Sequence, residues 1–266
     1  MSQPLARPSA PAPALREFGY WLHRYRRTWR GTVVISVANP LLFLTAMGVG
    51  LGKLVDHGHS SYLDGASYLS FVAPGLLAAA AMQAAAVESG GSVFQSARDR
   101  GNYRAAAATT MRPTDILDGH LLFMAFRILI NCTAFTVVLT AFGIVAPLPA
   151  LLLILCALLT GLAFALPLTA FAITRTRAGQ LNAVFRFLIM PLYMFSGTFF
   201  SAAQLPSWLH ALVSVSPLYQ GIQLCRSIVL HDATPGPTVV ALVYLGALAT
   251  VGYLAGRRTF TRCLHS

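Results

Sequence analysis

The sequence predicts an all-α membrane protein with six transmembrane helices. An amino-terminal interfacial helix precedes them, and a re-entrant external helical pair lies between helices 5 and 6. Three observations lead there. Only 10% of the 266 residues are charged and 56% are hydrophobic, whereas a soluble domain carries about 25% charge, so there is too little charge to solvate a globular surface. The apolar residues come in runs of about 20, the length that crosses a bilayer as a helix. Lys and Arg gather in alternate gaps between the runs, which is a topology signal.

In chain order, residues 1–14 are rich in Pro and Ala and read as a disordered cytoplasmic tail. Residues 15–256 form the transmembrane domain, and 257–266 a second cytoplasmic tail. In 15–30, Phe18, Trp21, Leu22, Tyr25 and Trp29 recur at steps of three and four among arginines. That spacing gives an aromatic helix face suited to the lipid interface, with guanidiniums near anionic headgroups. The spans fall at about 31–52, 68–96, 121–145, 150–173, 181–200 and 238–256. Asn39-Pro40 and Pro191 are expected to kink the first and fifth. Between 201 and 232, two apolar segments broken by Ser216-Pro217 are each too short to cross, hence the re-entrant reading. The amino-terminal segment, the 97–120 loop, the 174–180 loop and the tail hold 15 of the 19 Lys and Arg. Both termini are therefore expected in the cytoplasm, which requires an even number of spans, here six.

Two sets of residues stand out. Glu88, Arg127 and Arg186 are the charges inside apolar spans. A lone charge in lipid costs about 3 kcal/mol or more, so these should face the bundle interior and pair. Glu88 is expected to pair with Arg127 or Arg186, as a structural ion pair or as an inner gate. The 97–120 hairpin carries both signs of charge around Tyr103 and an alanine run at 105–108. Alanines between arginines favour a short helix, and Arg112-Pro113 should end it. A helix there suits the docking of a soluble partner.

Other chemistries find little support. The formal charge of +11 sits in the gaps between spans, which argues for orientation and against nucleic acid. Cys132, Cys156, Cys225 and Cys263 form no C-x-x-C, and neither a disulfide framework nor a metal site is suggested. The end of span 1, GVGLGK, fails as a phosphate loop because Met47 stands where Gly is required. Gly48 and Gly52 make a G-x-x-x-G spacing, and His57 and His59 read as a solvated loop. No catalytic triad or carboxylate pair is evident. A membrane-embedded lipid-modifying enzyme, which needs clustered catalytic groups, and an ATPase-independent channel or scaffold are the alternative functions.

Several segments resemble a known family. They are Tyr68-Leu-Ser-Phe-Val-Ala-Pro-Gly-Leu-Leu77, Met82 to Glu88, Tyr103 with its alanines, Phe195-Ser-Gly-Thr-Phe-Phe200, Leu205-Pro-Ser-Trp208 and Pro217-Leu-Tyr219. The chain is similar to the membrane subunit of type-2 ABC exporters, in the NodJ-like and daunorubicin-type drug-efflux branch. Ser201 and Gln220 depart from that branch's pattern, where Pro and His are common. The resemblance implies a twofold pair of permeases, the second being another copy or a paralogue, above two cytoplasmic ATP-binding cassette ATPases. ATP and Mg would bind those ATPases and no cofactor this chain. A coupling helix would dock through Arg98, Asp99, Arg100, Tyr103, Arg104, Arg112, Pro113 and Asp115. Leu205, Pro206, Trp208, Pro217 and Tyr219 would belong to the external re-entrant gate. Phe195, Phe199 and Phe200 would border the path of an amphipathic substrate such as a lipo-oligosaccharide, glycolipid or drug.

Overall fold

The computed structural model describes residues 13–46, 67–200, 206–232 and 234–265. Residues 1–12, the Gly48–Gly52 spacing, Lys53, the His57–His59 loop, Ser201 and Leu205 lie outside these residues. The described elements are all helical: α1 (Pro13–Tyr25), α2 (Trp29–Thr45), α3 (Tyr68–Ala97), α4 (Asn102–Ala107), α5 (Pro113–Ala141) and α6 (Pro147–Ala172). Next comes α7, helical through Ala178–Val184, Phe185–Ile189 and Met190–Phe195, and then α8 (Ser207–Ser214), α9 (Pro217–Val229) and α10 (Pro235–His265). Among the described residues, four helices are long and apolar enough to cross a membrane: α3, α5, α6 and α10.

Helix α3 is the most enclosed of these four. Its run of alanines, including Ala73, Ala78, Ala81 and Ala85, is buried and lets neighbouring backbones approach closely, as small residues do in membrane bundles. At Gly161 of α6 a Cβ would lie 2.7 Å from Ile128 Cγ2 and 3.2 Å from Ala81 O. α9 also packs on α3 and α6, burying Leu218, Ile222 and Cys225 in the same apolar core. A second core, at the opposite end of the bundle, joins α1, α4, α5 and α10 around Trp21, Tyr103, Leu117, Met124 and Phe260.

Helices α3 and α7 widen into π-helical turns, at Val87–Ser92 and Phe185–Ile189. Such turns recur at functional sites, and each holds one of the intramembrane charges, Glu88 or Arg186. Helix α7 stops at Phe195, short of the expected 200, because Ser196 leaves helical geometry and Gly197 takes φ +82°. A left-handed φ suits glycine and ends the helix there. Helix α5 begins at Pro113, well before the expected 121. Pro113 occupies its first turn, and Asp115 accepts the Arg112 backbone N–H at 3.0 Å.

Two expectations need correction. The aromatic face of α1 was expected at lipid, but Trp21 and Tyr25 are buried against α5. Trp21 stacks on His120 with centroids 4.0 Å apart and planes at 9°, and Phe18 and Tyr25 both meet Phe126 edge-on. Gly119 permits this: a Cβ there would lie 2.5 Å from Ala14 O and from Glu17 Cβ. Arg186 was expected to face the bundle interior and pair, but its side chain is exposed on α7. The salt bridge found among the described residues does not involve it. α7 also leaves Phe187, Met190, Met194 and Phe195 open, so Arg186 shares an uncovered face of the single chain.

Candidate functional site

A cavity of about 720 Å³ opens between α2, α3 and α5, with Tyr193 of α7 at its edge. Polar side chains line it at helical spacing. Thr32, Ser36 and Asn39 follow one face of α2, since positions three and four apart are neighbours. Arg127 and Asn131, four apart on α5, answer them. Arg127 Nη1 donates to Thr32 Oγ1 at 3.1 Å, and Asn131 Nδ2 donates to Ser36 Oγ at 3.2 Å. Gln83 and Glu88 join from α3, while Phe43, Leu76 and Phe135 supply apolar wall. Asn131 Oδ1 is buried without a partner, an acceptor left open inside a two-sided chamber.

At the end nearest the 97–112 hairpin, Arg127 Nη2 meets Glu88 Oε1 at 2.7 Å. Of the two arginines considered as partners of Glu88, the structure sets Arg127 there. The guanidinium also lies over the Tyr25 ring, 4.7 Å from its centroid. Three helices besides its own therefore hold Arg127: α3 through charge, α2 through a hydroxyl and α1 through a ring face. These contacts offset the cost of placing a charge within the bundle.

The hairpin residues divide. Arg98, Asp99, Arg100 and Arg104 are exposed. Arg98 Nε donates to Arg175 O at 3.1 Å, tying the hairpin to the 174–180 loop. Tyr103, expected on the docking surface, is instead fully buried. It lies on the inner face of α4, its hydroxyl bonded to His120 Nδ1 and its ring 5.5 Å from Phe260. Burial and the nearby Glu17 charge hold its phenol well above its ordinary range. Pro113 is buried, and Arg112 and Asp115 close the first turn of α5, so these three shape the hairpin's exit.

Toward the far end, Pro206 starts α8 and Pro217 starts α9, where Ser216 Oγ accepts the Tyr219 N–H. Trp208 is exposed, and Tyr219 meets His210 edge-on at 6.4 Å. Phe199 packs between Phe43 and Tyr193, Phe200 is half-buried and Phe195 is exposed.

Sequence reasoning overlooked Arg226, counting it as an external loop charge. It is buried, donating from Nη2 to Gly197 O at 2.9 Å and from Nε to Phe71 O at 3.3 Å, with its guanidinium 3.7 Å from the Phe71 centroid. It thereby pins the turn after α7 to both α3 and α9. Its place three turns into an apolar helix was the available signal. Also overlooked was the Glu17–Trp21–His120 chain, in which Trp21 Nε1 donates to Glu17 Oε1 at 2.8 Å. Burial pushes the Glu17 carboxyl above its ordinary value, and the Trp21 hydrogen bond opposes that.

Comparison with known proteins gives a consistent outcome. The ABC-2 type transporter family matches residues 20–230. Nodulation protein J of Rhizobium meliloti (strain 1021) is 29% identical over 239 residues, covering 86% of each chain. Nodulation protein J of Sinorhizobium fredii (strain NBRC 101917 / NGR234) is 30% identical over 220 residues, 79% of this chain and 81% of that one. The Bradyrhizobium diazoefficiens protein of the same name is 26% identical over 249 residues, 92% and 91%.

Proposed function

Because the chain belongs to the ABC-2 type transporter family, as a NodJ-like permease, we propose that it moves an amphipathic substrate outward across the bacterial cytoplasmic membrane. It is a multi-pass membrane protein and a transport subunit, and a separate ATP-binding cassette ATPase would supply the energy. In this reading α2 and α7 complete a set of six spans with both termini cytoplasmic, and α8 and α9 are the re-entrant pair at the exit. Two permeases would pair about a twofold axis through the uncovered face of α7.

The observation that carries the reading is the chamber between α2, α3 and α5. Its polar ladder and apolar wall suit a molecule with a hydroxyl- or amide-bearing head and a hydrocarbon tail, such as a lipo-oligosaccharide, glycolipid or drug. Glu88 and Arg127 close its hairpin end as an inner gate. The exposed Arg98, Asp99, Arg100 and Arg104 would meet the ATPase, which makes the hairpin the place where nucleotide-driven motion enters. ATP and Mg belong to that partner.

The test is reconstitution with the ATPase expressed alongside it. Substrate should move only when both subunits and ATP are present. Arg98→Glu with Arg104→Glu should release the ATPase while leaving the permease in the membrane. An undiminished complex, labelling of position 104 from outside the cell, or directional movement without any ATPase would each overturn the proposal.

A further inference from the structure

A second, smaller cavity of about 190 Å³ lies on the hairpin side of the Glu88–Arg127 pair, and those two residues line both chambers. Its other walls are cationic and aromatic, with two hydroxyl residues: Arg24 and Tyr25 from α1, Arg100 from the hairpin and Phe123 from α5, beside Thr28 and Ser92. The charges do not balance. Glu88 is taken by Arg127. Among the described residues, Arg24 and Arg100 meet no carboxylate. Arg24 lies over the Trp21 ring at 5.8 Å, and Arg100 bonds the neutral Gln95 amide. The same cavity is bordered by Tyr25, which is 93% buried (7% exposed) and whose hydroxyl has no hydrogen-bond partner. An unneutralised pair of arginines, a spare hydroxyl donor and ring walls together describe a seat for a singly or doubly charged oxyanion next to hydrocarbon.

We propose that this cavity binds the phosphate of an anionic membrane lipid. The headgroup would bridge Arg24 of α1 and Arg100 of the hairpin, two elements that also share the buried cluster around Trp21 and Tyr103. A lipid is favoured over free phosphate because the ring walls of Trp21, Tyr25 and Phe123 continue the seat into apolar surface, where an acyl chain gains and a bare ion does not. Which leaflet supplies the lipid rests on the topology proposed above, whereas the binding does not.

The full chain, purified in detergent and stripped of lipid, is titrated with phosphatidylglycerol, phosphatidylcholine or inorganic phosphate and weighed intact by native mass spectrometry. Phosphatidylglycerol should bind at least tenfold more tightly than phosphatidylcholine. Arg24→Gln with Arg100→Gln should weaken phosphatidylglycerol about thirtyfold, from about 1 kcal/mol per basic group. Tyr25→Phe, which keeps the ring beneath Arg127, should weaken it about threefold. Arg257→Gln with Arg258→Gln removes equal charge from the end of α10 and should change nothing. If the double arginine variant misfolds, Arg24→Lys with Arg100→Lys retains the charge and should retain most of the preference. Equal binding of the two lipids, or an unchanged preference in Arg24→Gln with Arg100→Gln, overturns the site. Displacement of the lipid by micromolar inorganic phosphate overturns the lipid as its occupant.

Discussion

Replacing Glu88 by Gln removes the charge facing Arg127 and little else. Arg127 keeps the Thr32 hydroxyl and the Tyr25 ring, but both are neutral. Two unit charges about 4 Å apart attract by about 4 kcal/mol at an effective dielectric near 20. The side chains of Arg127 and Glu88 are 20% and 13% exposed, and the cavities on both sides admit water, so the attraction is screened. Removing Glu88 also removes the cost of burying it. The net loss works out at about 2–3 kcal/mol, just below the usual range for breaking a fully buried pair. For a chain of this size that is roughly 4–10 °C in thermal midpoint, measurable by scanning fluorimetry in detergent. Arg127→Gln should cost as much or more, since Glu88 would lose its salt-bridge partner. The double variant Glu88→Gln with Arg127→Gln should be more stable than either single change, because no charge is left unpaired. In a protein with its four cysteines replaced, Asn131→Cys should react with a membrane-impermeant thiol reagent from the hairpin side only when Glu88 is neutral. A midpoint within 1 °C of wild type for Glu88→Gln, together with unchanged reactivity at 131, would refute the reasoning.

Three further outcomes follow from the same geometry. Tyr103→Phe leaves His120 with both ring nitrogens unpartnered, since Nε2 has no partner already. It should cost about 1–3 kcal/mol, seen as faster hydrogen exchange in α4 with the long helices unaffected. Gly119→Ala places a Cβ 2.5 Å from Ala14 O and Glu17 Cβ, so α1 should lift from α5, and protease should cleave near residue 26 far sooner. Burial raises the Glu17 carboxyl, so the docked state of α1 binds the proton more tightly than the undocked one. Docking is therefore strongest below about pH 4.3, weakens as pH rises through the raised value, and is flat beyond it. Fluorescence of a protein whose only tryptophan is Trp21 should report that slope, and Glu17→Gln should abolish it while keeping an oxygen for the Trp21 N–H.

Much of the scaffold was legible because it rests on run length alone. The long helices α3, α5, α6 and α10 all fall on predicted spans, and Ser216-Pro217 divides α8 from α9 where the short apolar segments suggested. Their ends were less legible. Residues 113–120, with Asp115, Asp118 and His120, look like polar loop but continue the helix beyond the apolar run, because Tyr253 donates to Asp118 Oδ1 and Trp21 covers His120. Glu88 and Arg127 were visible as charges in apolar sequence. The choice between Arg127 and Arg186 was not, because α5 and α7 both pack beside α3 and only Arg127 faces Glu88, while Arg186 lies on the exposed side of α7. Tyr103 was misplaced for a related reason: an aromatic in a charged hairpin reads as surface until a histidine from another helix is found beneath it. The ladder of Thr32, Ser36 and Asn39 against Arg127 and Asn131 was readable in principle, since both sets keep helical spacing.

Helix α1 now has a mechanical place that its amphipathic pattern alone did not give it. Glu17, Trp21 and Tyr25 stand four apart and so share one face. Trp21 is stacked on His120, which holds Tyr103 of the hairpin. Tyr25 lies beneath Arg127, which holds Glu88. One turn of one helix thus separates the hairpin's buried anchor from the ion pair at the hairpin end of the large chamber. A force that moves α4 inward or outward acts on His120, and through it on Trp21, as well as on Phe260 of α10. α1 is short and stiff over that single turn, so displacing Trp21 must also displace Tyr25. The ring face would then leave Arg127 while the carboxylate stays on α3. Motion of the hairpin therefore need not travel along α3 or α5 to loosen the pair. If α1 is the link, Trp21→Ala should uncouple ATP hydrolysis from substrate movement while leaving the Glu88–Arg127 pair and ATPase docking intact. If transport and hydrolysis fall together in that variant, the signal runs through the long helices instead.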